Sequence, residues 1–534
     1  MLDSINKISI YLFVGSFLLF LLGLSQLEIT QFETRFAFFA QQMASQGFHF
    51  FPLLYGAPYP DYPASYPILI YLCSLLMGKL SLFSGVWPSA FNAAGTVVLS
   101  YRLGASRTPA WGIAAVLMMF ATFYFLMTAR SLSLDQFVLF ATTWAFYVAY
   151  RSHALGRSGF RWGVWFACLY GFIFRGAMGF IIPLAVVVSF DLLNAYYFRI
   201  FKTLFFGLFL LMVLNAILLY LAYWEGGLVF LWQVIAMQGL SRIQQLGHYP
   251  FHFYWEYLWV NYSISAPIAL LVVLSLARDI FRRAPKPDMK FLQYLLGWVL
   301  IIMLGLSIPS EKKLRYLLPI VPALSLMASW IVIDNRSWVL AQIRSALLSV
   351  AYVFPLIGLL LILAVEGFSF YQHMPLGAYY IPAALSLMFV FVVGSQALKF
   401  YTDKVVKYNI KLAIGVFSFY FLMVFMVQPM HAYLNRTQPF AIQVNYYLAK
   451  GDSPVFYQMG PDAEDVKLML RLEQGPPPRF VQHAAELLTL PSTKVIVAKE
   501  QSYDALDDSI KAQFFVLSHG RIGHQKAIIF RHKT

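Results

Sequence analysis

The sequence predicts a polytopic α-helical membrane protein of about thirteen transmembrane helices, followed by a small C-terminal α/β domain. Composition is the first reason. Of 534 residues, 60% are hydrophobic and only 12% are charged, with a mean hydropathy of +0.67. A soluble chain of this length could not cover so much apolar surface with so few charges, whereas lipid removes the need to cover it. The second reason is the regular return of apolar runs between basic loops. The third is a change of composition near residue 430: residues 431–534 hold 12 Lys and Arg and 10 of the 24 acids, leaving 14 acids for everything before. The net charge of +15 is accounted for by basic loops on the cytoplasmic side and needs no nucleic acid partner.

Apolar runs place the spans at 8–26, 86–101, 111–128, 136–150, 162–174, 178–193, 203–223, 257–276, 291–308, 317–333, 345–365, 378–398 and 412–428. Alternate loops then carry Arg102 and Arg107, Arg151 to Arg161, Arg199 and Lys202, Arg278 to Lys286, Arg336, and Lys399 to Lys407. The positive-inside bias makes these loops, and the N-terminus, cytoplasmic. The stretch 64–83 is also apolar, but it contains Pro67, Gly78 and Lys79. Counting it as a span would invert every later loop, so it is expected to lie as a helix in the outer interface. The first apolar run lacks a small-residue cleavage site and is expected to stay as an anchor. Cys73 and Cys168 both lie in apolar segments and read as core residues rather than a disulfide or metal pair.

This threading puts 27–63, 129–135, 225–256, 307–315, 366–378 and the chain beyond about 429 on the outer side. The chain thus divides into a membrane domain, 1–429, whose first loop, 27–85, carries interfacial helices, and a soluble domain, 430–534. In the latter, strands are expected at 455–459, 479–481, 494–498, 514–518 and 526–531, with helices at 463–473 and 484–488. The two halves of the membrane region do not mirror one another as the repeats of transporters do.

Unusual polar residues collect on the outer side. Glu33 and Arg35 follow the first span, and Asp135 ends the run Arg130-Ser-Leu-Ser-Leu-Asp135. Two carboxylates at a membrane surface can act as a general base and an orienting partner, or as metal ligands; the alternative is a pair of interface residues neutralised by Arg35 and Arg130. The loop 225–256 offers Arg242, His248 and His252 among aromatics that suit either an interfacial belt or sugar stacking. Lys312-Lys313-Leu314-Arg315-Tyr316 puts three cations within four residues where positive charge should be scarce. An anion at the outer interface, such as a lipid phosphate, would account for them. Arg175, in Phe174-Arg-Gly-Ala-Met-Gly-Phe180, sits at another outer turn and could join them or simply snorkel.

Taken in order, these stretches resemble the type C, lipid-phosphate-sugar-dependent glycosyltransferases of the aminoarabinose transferase and protein O-mannosyltransferase superfamily. The resemblance is carried by Phe32-Glu33-Thr34-Arg35-Phe36-Ala37, Gly56-Ala-Pro-Tyr59, Asp61-Tyr62-Pro63, Leu134-Asp135, Arg175-Gly176, Arg242 and His248 before Pro250-Phe251, and Lys313-Leu-Arg-Tyr316-Leu-Leu-Pro319. Two positions depart from it. Phe32 replaces the first acid of the opening pair, and Tyr62 replaces the lysine of the acidic-Lys-Pro turn.

The resemblance implies an enzyme of the bacterial inner membrane, with its active site and C-terminal domain periplasmic. It would transfer a sugar, hexose or pentose, from a polyprenyl-phosphate donor such as undecaprenyl phosphate to a lipid A-like or protein acceptor. Glu33 and Asp135 would be catalytic. Arg35, Arg175, Arg242, Lys312, Lys313 and Tyr316 would bind the donor phosphate, and Tyr59, Asp61, Tyr62, His248 and His252 would meet substrate or a metal. The aminoarabinose branch implies a divalent metal, zinc, on Asp61 and His248; the mannosyltransferase branch implies none. A transporter or flippase of an anionic lipid-linked substrate is the rival reading. It would need a polar path through the bilayer, and only Asp191 and Glu366, both near span ends, are candidates.

Overall fold

A computed structural model of the chain describes residues 2–25, 27–29, 34–61, 63–156, 161–240, 249–262, 264–309, 312–334, 337–371, 377–461, 464–473 and 475–533. Two compact units emerge. The first comprises 1–23, 60–63 and 86–427, and the second 24–59, 64–85 and 428–534. Among the described residues, nine helices are long and apolar enough to cross a bilayer, or eleven if each of two sharply bent pairs counts as one span. The chain is therefore a multi-pass helical protein, with fewer uninterrupted spans than the apolar runs suggest.

Glycine and bends account for much of the difference. Trp162–Leu193 keeps helical hydrogen bonding over 32 residues, yet Gly176 sits at φ 60°, ψ −147° inside it. A straight helix would separate Arg161 from Asp191 by about 45 Å. Instead they form an ion pair of 2.9 Å. The element is thus a hairpin of two antiparallel arms turning at Arg175-Gly176, in keeping with the two runs at 162–174 and 178–193. Gly171 and Gly179 let the arms touch near the turn, because a Cβ on either would overlap the other's carbonyl.

Tyr197–Ile235 likewise breaks at Gly226 and Gly227. The sequence expectation of a span ending at 223 and a loop from 225 is corrected here: the helix resumes after the glycines and runs on as a π-helix, Ala236–Leu240. The run 111–128 becomes Pro109–Phe120 and Phe123–Ala129, bent by 77°. Thr122 leaves the helical region there, at φ −85°, ψ 105°. The run 257–276 becomes Phe253–Asn261 and Ser265–Ile280, with Ile264 at φ 71° between them. The two bends meet, since the hydroxyls of Thr122 and Ser265 lie 2.7 Å apart in a buried contact.

Arg130 is 1% exposed. It donates to the carbonyls of Leu19 (2.9 Å), Phe20 (3.2 Å) and Leu22 (2.6 Å) and to the Tyr420 hydroxyl (3.2 Å). Those carbonyls lie where the first helix, Leu2–Leu21, ends and backbone donors become scarce, Leu19 alone of the three also accepting from the Leu22 amide at 3.1 Å among the described residues. Pairing of Arg130 with Asp135, one alternative from the sequence, is not what forms.

The second unit joins the first-loop segments to the C-terminal residues. Thr34–Gln46 and Ser65–Leu76 pack on one another, with Phe36 edge-on to Tyr66 at 5.1 Å. Ser65–Leu76 is about 18 Å long, too short for a hydrocarbon core of about 30 Å. A two-stranded hairpin pairs β1 (Leu53–Leu54) with β2 (Ala57–Pro58). Five further strands, β3 (Val455–Tyr457), β4 (Arg479–Val481), β5 (Ile496–Lys499), β6 (Phe514–Ile522) and β7 (Gln525–His532), form a sheet in the order β4-β3-β5-β7-β6. The first three are parallel and the last two form an antiparallel hairpin. Helices Glu464–Met469 and Ala484–Leu487 complete the alternation. Val455, Tyr457, Val481, Leu487, Ile496 and Phe530 share one buried core, which holds the sheet together.

Candidate functional site

Asp135 opens the helix Asp135–Ala154, where a carboxylate is favoured by the helix dipole. Its side chain is 5% exposed and faces two guanidiniums: Arg175 Nη2 at 3.3 Å from Oδ1, and Arg315 Nε at 3.5 Å from Oδ2. Arg175 reaches it from the hairpin tip, where the left-handed Gly176 turns the chain. Arg315 comes from Leu314–Ile320, a 3₁₀ segment containing Pro319.

Tyrosines pin that segment. The Tyr262 hydroxyl donates to the Leu314 carbonyl at 3.0 Å, and the Tyr254 hydroxyl lies 3.3 Å from both the amide and the carbonyl of Lys313. Tyr316 presents its ring to Arg175 at 5.3 Å and to Arg315 at 6.0 Å. Two guanidiniums around one carboxylate in a low-dielectric setting can receive an anion that accepts several hydrogen bonds. Both ion pairs are longer than the roughly 2.8 Å of a tight charge-assisted bond, so the guanidinium edges are not clamped onto the carboxylate.

A cleft of about 200 Å³ opens beside Arg175, lined by Asp61, Pro63, Gly176 and Gln238 and walled by Leu218 and Val234. Gln238 donates to the carbonyl of Asp61 at 2.9 Å, fixing the short 60–63 segment against the hairpin tip. Asp61 is 8% exposed. A polar group and an apolar tail can therefore sit side by side here.

Of the residues expected from the sequence, Asp135, Arg175 and Tyr316 come together, with Asp61 across the cleft. Lys312 is buried and donates to the carbonyls of Pro309 (2.7 Å) and Tyr249 (3.3 Å), and burial pushes its ammonium below the usual lysine range. Lys313 is exposed. Arg35 and Tyr59 meet one another in the second unit, Nη1 to hydroxyl at 3.1 Å. His252 pairs with Glu256 at 3.1 Å on an exposed helix face. Glu33, Tyr62, Arg242 and His248 lie outside the described residues. Among the described residues no three His, Cys, Asp or Glu side chains converge as a metal site. Cys73 and Cys168 are free thiols. Gln238 carried no sequence signal, being one amide in an apolar helix, and the pairing of Arg315 with Asp135 across 180 residues had none either.

No family model matches the sequence, and no curated protein does. Solved structures do. ArnT from Cupriavidus metallidurans in the apo state superposes with a TM-score of 0.70, covering 97% of each chain at 16% identity. The fold is ArnT-like. The same enzyme bound to undecaprenyl phosphate matches with a TM-score of 0.63, again at 16% identity and 97% coverage of both chains. The ArnT-like fold thus extends over 97% of the chain.

Proposed function

We propose that this chain is a membrane glycosyltransferase that takes a sugar from a polyprenyl-phosphate donor and transfers it to a lipid or protein acceptor at the outer face of the inner membrane. The observation that carries this reading is the cluster of Asp135, Arg175 and Arg315 beside Tyr316, whose Arg175 also lines a cleft with an apolar wall. The ArnT-like fold, in a relative seen with undecaprenyl phosphate, supports a lipid-linked donor. The basic loops support an outward-facing site.

In the proposed reaction an acceptor oxygen attacks the anomeric carbon as the bond from that carbon to the phosphate oxygen breaks. Negative charge then grows on the departing polyprenyl phosphate, where Arg175 and Arg315 offset it. Asp135 sets the spacing of the two guanidiniums and acts as a positioning residue. The proton leaving the acceptor goes to Glu33, the carboxylate of the opening motif. Asp61 and His248 are the residues that would hold a divalent metal; the two branches of the resemblance disagree on it, and no step depends on it.

The test is mass spectrometry of envelope lipids and glycoproteins from cells with and without the gene. One species lighter by a sugar is expected in the deletion, restored by the wild-type gene but not by Glu33→Gln. An unchanged envelope, together with release of labelled lipid-linked sugar across vesicles by the purified protein, would replace this reading with the flippase.

A further inference from the structure

At the open end of the Trp162–Leu193 hairpin, about 21 Å along either arm from Arg175, lies a second and larger cleft of about 860 Å³. It has two kinds of wall. Val164, Trp165, Val187, Phe201, Phe205 and Phe206 make an apolar side, with Trp165 edge-on to Phe206 at 4.7 Å. Arg161, Arg199 and Lys202 line the other.

Among the described residues one acid answers two of these three cations. Asp191 takes Arg161 at 2.9 Å and Arg199 at 3.9 Å, while Lys202 rests on the Phe198 ring at 4.3 Å. The Arg161 side chain is 8% exposed, and its Nε is buried with no hydrogen-bond acceptor among the described residues. A buried donor on a cation, beside two further cations and a long aromatic wall, is an incomplete site. Its complement has a phosphate at one end and an acyl chain at the other.

We propose that this cleft binds an anionic phospholipid, with its phosphate against Arg161, Arg199 and Lys202 and an acyl chain along the wall from Trp165 to Phe206. Basic pockets between helices at a membrane surface recognise such headgroups, each cation near the surface contributing about fivefold in affinity. The site is separate from the Asp135 cluster and does not depend on the proposed transferase activity.

Native mass spectrometry of the full-length protein, stripped of lipid in detergent and titrated with phosphatidylglycerol or phosphatidylcholine, tests it. Phosphatidylglycerol is expected to bind at least tenfold more tightly than phosphatidylcholine. The double variant Arg199→Gln/Lys202→Gln should lose about tenfold to thirtyfold of that affinity, and Arg175→Ala should lose none. Equal binding of the two lipids, or loss in Arg175→Ala matched by none in the double variant, would overturn the proposal. Should the double variant elute as aggregate, Thr203→Glu decides: it sets a negative charge among the lining residues without touching the Asp191 pairs, and undiminished phosphatidylglycerol binding in it would equally sink the site.

Discussion

Asp135 holds Arg175 at 3.3 Å from the first turn of one helix to the tip of a neighbouring hairpin. The same carboxylate reaches Arg315 with its other oxygen. One acid thus sets the distance between two cations, and each member of the trio should fail in its own way when replaced.

Arg175→Ala and Arg315→Ala should each weaken binding of undecaprenyl phosphate by roughly 1.5–3 kcal/mol, the worth of a hydrogen bond to a charged group. Arg175→Lys should recover only part, because an ammonium cannot offer the planar fork. Titration of purified protein with the lipid measures this. Unaltered affinity in both alanine variants would leave the cluster with a purely structural role.

Asp135→Asn and Glu33→Gln should separate. Loss of the positioning carboxylate should raise the donor Kd. Loss of a general base should leave donor Kd unchanged and lower kcat by about 10² to 10⁴. The contrast is read from donor titrations beside single-turnover rates. A wild-type kcat in Glu33→Gln removes it as the base.

Gly176→Ala puts a Cβ at φ 60°, ψ −147°, a region essentially confined to glycine that costs an L-residue about 1–3 kcal/mol. Gly179→Ala should be worse, since the added carbon meets the Gly171 carbonyl at the crossing of the arms. Thermal unfolding in detergent should rank wild type above Gly176→Ala above Gly179→Ala. The reverse order would mean the arms can part.

In the second unit the Tyr55 hydroxyl donates to the fully buried Asp465 at 2.5 Å. Tyr55→Phe withdraws that donor from a buried carboxylate and should cost about 1–3 kcal/mol. A lower melting temperature, with the membrane helices unchanged by circular dichroism, is the expected result.

Acid should loosen the same unit. Hydrogen bonds from Lys494 hold the Asp452 carboxyl below the usual carboxylate range, helped by the Ser453 amide at 2.8 Å. A carboxyl lowered in the folded state contributes stability that is complete above its unfolded value near 3.9 and disappears as pH falls below it. The pair is partly exposed, so the effect is small and weakened by salt. Asp452→Asn should flatten the acid limb of the stability profile below about pH 4. An unchanged limb would show that Lys494 gives the carboxylate nothing.

Much of the fold is written in local pattern. Arg175-Gly176 interrupts an apolar run with a charge and the one residue tolerant of φ 60°, so the two hairpin arms could be read directly. The strands after 450 follow from alternation between short β-branched runs and polar turns, and β4 falls where expected. Glu225-Gly-Gly misled, because a glycine pair reads as a helix end and nothing local tells that the helix resumes at Leu228. The bend at Thr122 is set by the distant Ser265, and Arg315 meets Asp135 only once the 3₁₀ segment is pinned by Tyr254 and Tyr262. Such contacts belong to tertiary structure and leave no periodicity.

Arg130 adds a constraint on biogenesis. A guanidinium in the apolar interior is costly until acceptors surround it. The carbonyls of the Leu19 to Leu22 turn are made about a hundred residues before Arg130, so they already await it when it leaves the ribosome. The Tyr420 hydroxyl, 290 residues further on, arrives last. Insertion of the early helices can therefore proceed without the rest of the chain, while the final latch on that turn closes only after synthesis has passed the last membrane segments.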